Sequence, residues 1–99
     1  MLYYLSGPIT APTRQEELDN MKVFFDTEAD LVARGFEVFN PAKLEVDGKS
    51  WEWYLARDVK WIYDNRPALY MLPGWKESRG ARLEYEVAKM LHLCIIEPL

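Results

Sequence analysis

An α/β fold is predicted, three layers of the Rossmann or flavodoxin-like kind around a parallel sheet of four to five strands, and three observations predict it. Short apolar runs over residues 2–5, 36–39, 67–72 and 92–96 alternate with stretches of helical periodicity, in the order β-α-β-α-β-α-β. The first three runs are closed by turn-forming residues, Ser6-Gly7-Pro8, Asn40-Pro41 and Pro73-Gly74. Strands that alternate with helices pair in parallel through crossovers, and the ligand site of such an open sheet lies beyond the strand C-termini. The loops after Leu5, Phe39 and Leu72 are therefore expected on one rim.

Each element has its own local reason. Leu2-Tyr3-Tyr4-Leu5 is short, apolar and aromatic and enters a glycine turn, so it reads as a buried strand. From about Gln15 to Arg34, Leu18, Met21, Phe24, Phe25, Ala29 and Val32 recur at helical spacing, and Gly35 supplies the stop. Phe36-Glu37-Val38-Phe39 alternates and ends at Asn40-Pro41, a second strand. The loop from Ala42 to Ser50 carries no strong signal. Ser50 is placed to cap a helix from Trp51 to about Tyr63, and Glu52 gives its first turn negative character. Pro67 to Leu72 forms strand three, Ser78 caps a helix running to about Leu91, and His92-Leu93-Cys94-Ile95-Ile96 forms strand four.

Composition narrows the function. The 99 residues suit one domain, residues 1–99, and 49% hydrophobic with 14% aromatic content suffices for a modest core that dimerisation would enlarge. A net charge of −4 and a pI near 5.0 argue against wrapping a nucleic-acid polymer, whose phosphates need a basic face. One cysteine and one histidine leave no internal disulfide and no Cys/His zinc site, and point to the cytoplasm. No apolar run approaches 18 residues, and no basic segment precedes an apolar core at the N-terminus, so neither a membrane span nor a signal peptide is expected. The chain holds no repeat, low-complexity tract or linker.

Two acids stand out by their positions. On the helix after Ser78, Glu84 shares a face with Ala81, Ala88 and Leu91, while Arg82, Glu86 and Lys89 take the opposite one. On the helix after Ser50, Asp58 falls inside the stripe of Trp51, Tyr54, Leu55, Val59 and Ile62. Either acid alone also fits the edge of a stripe, from which it reaches water. Two such acids on consecutive helices are harder to account for that way, because each unpaired carboxylate in a core costs several kcal/mol. Paired carboxylates are better explained by chemistry. The other candidates have plainer readings: His92 as a cap or surface residue, Cys94 as core, and Arg14, Arg79 and Arg82 as solvated charges. Trp51, Trp53, Trp61 and Trp75 read as packing, with Trp75 also near enough to the central loop to cover a base. The N–H groups at the start of the helix after Ser78 welcome a phosphate or carboxylate.

Three motifs in register carry a resemblance. Tyr4-Leu5-Ser6-Gly7-Pro8-Ile9, Arg57-Asp58-Val59-Lys60-Trp61, and Ser78-Arg79-Gly80 followed by Glu84 resemble the nucleoside 2-deoxyribosyltransferases and the deoxynucleoside 5′-monophosphate N-glycosidases, over nearly the whole chain. The resemblance is closest to short bacterial and phage members. It implies Glu84 as the nucleophile on C1′ of a deoxyribose, Asp58 as the supporting acid and Tyr4 as the group that orients the nucleophile. It further implies substrate binding by Ser6, Gly7, Pro8, Ile9, Gly74, Trp75, Ser78 and Gly80, with Ser78 and Gly80 in the turn that holds a 5′-phosphate. A retaining transfer needs one carboxylate to form a glycosyl ester and another to protonate the departing base, without metal or cofactor. The expected function is an N-glycosidase or 2-deoxyribosyltransferase acting on a small nucleoside or nucleotide, with no nucleic-acid polymer or membrane as partner. The alternatives are a catalytically silent nucleotide-binding module on the same fold and a purely structural domain. A homodimer through helices at the sheet face is expected from the aromatic residues one small core cannot hide. Of the two acids, one is expected to titrate upward and the other to stay ionised, with Glu84 the charged one through the N–H groups at its helix start.

Overall fold

In the computed structural model, which describes residues 1–44 and 48–98, the strands are β1 (Leu2–Ser6), β2 (Glu37–Phe39), β3 (Ala68–Met71) and β4 (Ile95–Ile96), and the helices α1 (Arg14–Ala33), α2 (Trp51–Asn65) and α3 (Arg79–Met90). Short 3₁₀ turns occupy Pro41–Leu44 and Trp75–Glu77. The sheet has four strands in the order β2-β1-β3-β4, every pair parallel, with Tyr4 opposite Phe39 on one side and Leu69 on the other. Residues 45–47 of the loop expected over 42–50 lie outside the described residues.

The pleat of β1 divides the molecule. Tyr3 and Leu5 point into a core with Phe24 and Leu31 of α1, and Tyr4 points into a second core with Ile62 of α2 and Ala88 of α3. A helix layer on each face of a parallel sheet is the predicted three-layer arrangement.

The caps follow local chemistry. Thr13, Ser50 and Ser78 each accept an N–H from the third residue of the helix they open. Gly35 ends α1 in the left-handed region, with its N–H on Val32 O and that of Phe36 on Leu31 O. The same pair of bonds, His92 N–H to Lys89 O and Leu93 N–H to Ala88 O, ends α3 with His92 at φ 58°. That closing turn consumes residues 92 and 93, which is why β4 is only Ile95–Ile96 rather than the five residues expected. Cys94, expected in the core, is exposed as a result.

One apolar stripe differs from expectation. Within α1 the buried residues are Phe24 and Leu31, whereas Leu18, Phe25 and Val32 are exposed. The apolar residues of α1 cover more than half the helix circumference, and docking on the sheet uses only the part centred on Phe24 and Leu31.

Candidate active site

The loops after β1, β2 and β3 do meet beyond the strand C-termini, where a cavity of about 540 Å³ opens. Gly7, Pro8, Ile9 and Thr10 line it from the first loop, Pro41 and Ala42 from the second, and Glu77 to Ala81 from the third. Each loop is tied down. Asn20 of α1 donates to Ile9 O at 3.2 Å, the Ala42 N–H donates to Asn40 Oδ1 at 3.0 Å, and the Leu72 N–H donates to Ser6 O at 2.8 Å. Asn40 is itself buried and donates to Glu28, so the turn after β2 is fixed from below.

Glu84 and Asp58 both face this cavity, and both are buried, at 7% and 8% exposure. The Tyr4 hydroxyl donates to Glu84 Oε2 at 2.7 Å and the Ser6 hydroxyl to Oε1 at 2.8 Å. Tyr4 and Ser6 are two apart on β1, so strand alternation puts both hydroxyls on the α3 side of the sheet. Asp58 lines the same cavity, and its charge acts on the Tyr4 hydroxyl. Asp58 Oδ1 receives Arg57 Nε at 3.0 Å and a terminal guanidinium nitrogen at 2.9 Å. The other terminal nitrogen donates to Leu44 O at 2.6 Å.

Burial raises both acids. It pushes Glu84 up to about 7, against the hydrogen bonds from Tyr4 and Ser6, while the charge of Asp58 adds to the rise. Asp58 is also raised by burial, and the neighbouring Arg57 charge holds it back. Tyr4, buried at the same site, stays protonated well beyond the ordinary phenol range, first through burial and then through the two acids. The expected division, in which one acid rises and Glu84 is the one held charged, is not seen: both acids are raised. Glu84 lies beyond the first turn of α3, so its oxygens meet the hydroxyls of β1 rather than the N–H groups at the helix start.

Most residues singled out by the sequence converge here: Tyr4, Gly7, Pro8, Ile9, Asp58, Ser78, Gly80 and Glu84 all line the cavity. Ser6 sits beneath it, holding Glu84. Gly74 and Trp75 lie elsewhere. Gly74 turns left-handed at φ 83°, where a Cβ would meet the Pro8 ring, and the following 3₁₀ turn carries Trp75 onto Tyr85, with ring centres 4.7 Å apart, beside a separate cleft of about 260 Å³. The wall residues Arg14, Glu17, Met21 and Phe24 of α1, and Lys49, were not singled out as a set by any motif. Arg79 also lines the cavity, with its guanidinium 4.6 Å from the Trp51 ring centre, while Arg82 is exposed.

Among the described residues no cluster of three or more His, Cys, Asp or Glu side chains is placed to hold a metal ion, and no helix is long and apolar enough to cross a membrane. The fold and site define a parallel α/β protein with a buried carboxylate pair at the switch between its sheet and its loops. The chain belongs to the family described as a domain of unknown function, DUF4406, which it matches over residues 1–97. No curated protein and no solved structure matches it.

Proposed function

We propose that the cavity is the active site of an N-glycosidase or 2-deoxyribosyltransferase that cleaves the N-glycosidic bond of a deoxynucleoside or deoxynucleoside 5′-monophosphate in the cytoplasm. The observation that carries this reading is the pair of buried acids, one of them held by a phenol, that line one cavity of about 540 Å³. That volume suits a small molecule. Glu84, ionised, attacks C1′ of the sugar, and the bond to the base breaks with its electrons going to the base nitrogen, which takes a proton from Asp58. Water or a second base then displaces Glu84 from the glycosyl ester and returns a proton to Asp58. The first turn of α3 supplies N–H donors for a 5′-phosphate, those of Arg79 and Gly80 foremost, because the Ser78 hydroxyl already serves Ala81.

The test is a panel of deoxynucleosides and their monophosphates incubated with pure protein and assayed for free base. Release is expected from at least one substrate, with Glu84→Gln lowering it by about 10³-fold or more and Asp58→Asn slowing it most for poor leaving groups. Full activity in Glu84→Gln on a confirmed substrate would refute the assignment. A silent nucleotide-binding module is favoured by one observation, the ion pair that occupies Asp58. It expects calorimetric binding of a nucleotide with no base released.

The dimer belongs to the same proposal, moved to α1. Leu18, Phe25 and Val32 recur every seven residues and are 45%, 40% and 53% exposed, which makes a continuous apolar strip along one helix. Sedimentation at micromolar concentration is expected to give a dimer for the native chain and a monomer for Phe25→Glu; a native monomer would remove the dimer from the proposal.

A further inference from the structure

The resemblance implies that Ser6 binds substrate, and its position gives it another role. It is 1% exposed and lies beneath the cavity rather than on its wall, and its hydroxyl is spent on Glu84 Oε1 at 2.8 Å. The Tyr4 hydroxyl takes the other oxygen, Oε2, at 2.7 Å. One carboxylate is thus gripped at both oxygens by two hydroxyls from the same face of one strand.

Both hydroxyls stand on fixed supports. The Tyr4 ring is stacked on Phe39 with centres 5.6 Å apart, and Phe39 in turn on Trp61 at 3.9 Å, while the Tyr4 backbone is paired with Phe39 and Leu69. Ser6 is paired with Met71, and its carbonyl accepts the Leu72 N–H at 2.8 Å. Glu84 itself comes from α3, so the sheet and not its own helix decides where its oxygens lie. This matters because the last torsion of a glutamate, which turns the carboxylate, is broad and roughly two-fold, unlike the staggered torsions before it. Held at one oxygen, the group swings about that contact; held at both, it keeps one plane. Misplacing a reacting atom by about 1 Å costs roughly 10²-fold in rate.

We propose that Ser6 is a positioning residue for Glu84, holding Oε1 from beneath so that Oε2 is the atom that meets C1′. This rests on the glycosidase reading and deepens it. A lone pair on Oε2 forms the bond to C1′ while the electrons of the C1′–N bond leave with the base, which takes its proton from Asp58. Oε1 becomes the carbonyl oxygen of the glycosyl ester and keeps the hydrogen bond from Ser6. Neither hydroxyl gives up its proton. When water or a second base displaces the ester, Oε2 takes the bonding electrons back and the carboxylate is restored in the same plane.

Three variants test this: Ser6→Ala removes the hydroxyl, Ser6→Cys keeps the bulk with a weak donor, and Ser6→Thr keeps the hydroxyl. On a substrate confirmed by base release, kcat is expected to fall about 10- to 100-fold in the first two, with KM within about twofold, and to recover in Ser6→Thr. Without substrate, the Glu84 carboxyl carbon, labelled with ¹³C, is titrated by NMR in each protein. Losing a bond that favours the ionised form is expected to raise its midpoint by about one pH unit in Ser6→Ala and Ser6→Cys, and Ser6→Thr is expected to stay near the native value. The charged groups round the cavity are the same in every variant, so the shift reports this one bond. If Ser6→Ala does not fold, Ser6→Cys, which opens no void, carries the test. A raised KM at unchanged kcat would make Ser6 a substrate contact, and lowered stability with the midpoint unmoved would make it merely structural; either result overturns the proposal. Native kcat in Ser6→Ala refutes the positioning role and spares the glycosidase. A moved midpoint in a protein that releases base from no substrate refutes the glycosidase and leaves the grip of Ser6 on Glu84 standing.

Discussion

At pH 8, Glu84→Gln is expected to melt roughly 10 °C above the native protein, while at pH 5 the two should melt close together. The cause is proton linkage. The Glu84 carboxyl has an ordinary value of 4.5 and is raised to about 7 in the fold by burial. Below pH 4.5 both the folded and the unfolded chain carry the proton, and the full stability is present. As pH rises from there toward 7 the unfolded chain gives up its proton first, and stability is lost progressively, on the order of 3 kcal/mol in all. Glutamine does not ionise, so it escapes that loss. Its amide also fits the site, since the hydroxyls of Tyr4 and Ser6 turn to accept as well as donate. About 2 kcal/mol of net gain at pH 8 remains after allowing for imperfect geometry. Calorimetry of both proteins at the two pH values decides it, and an equal difference at pH 5 and pH 8 would rule out linkage as the cause. A gain in stability together with loss of base release is the trade expected of a residue kept buried for its chemistry.

A single methyl group is expected to have a comparable effect in the other direction. At Gly7, where β1 turns into the cavity, a Cβ would stand 2.8 Å from Leu72 Cβ and 3.3 Å from its Cδ1. Leu72 has nowhere to go. Its Cβ is the root of a side chain only 2% exposed, and its N–H is held by Ser6 O. Gly7→Ala should therefore cost about 2–3 kcal/mol through overpacking and push the loop carrying Pro8 and Ile9 out of place. The denaturation midpoint in urea measures the first effect. A variant within about 0.5 kcal/mol of the native chain would mean that β1 and β3 adjust at this point more freely than their packing implies.

The alternation of strands and helices, the serine caps and the burial of Asp58 and Glu84 were legible in the sequence because each depends on a short-range pattern: period, cap or turn. Where long-range docking decides, local patterns were less informative. Phe25 and Val32 repeat as regularly as Phe24 and Leu31, and only the seat of α1 on the sheet chooses between them. Trp75 is near the site in sequence but is turned away by the 3₁₀ geometry after Gly74. Arg57 was visible as part of a motif, but its grip on Asp58 and Leu44 depends on how α2 and the turn after β2 come together. The walls contributed by Met21 and Phe24 had no local signal, since apolar residues on a helix read as core whether they face a strand or a cavity.

The central place of β1 also sets the order in which the molecule can be made. Tyr3 is bonded through its strand to Val38 on one side and Ala68 on the other, and the carboxylate its neighbours Tyr4 and Ser6 hold arrives only with residue 84. Within this domain β1 is made before both of its neighbours, and its edge toward β3 stays open until β3 has been synthesised and threaded beside it. Pairings this distant make folding slow relative to helical proteins of the same size, and an open edge of Tyr3, Tyr4 and Leu5 invites pairing with other chains in the interval. Growth conditions that slow synthesis lengthen that exposure, so yield of soluble protein depends on how quickly the middle of the chain follows its beginning.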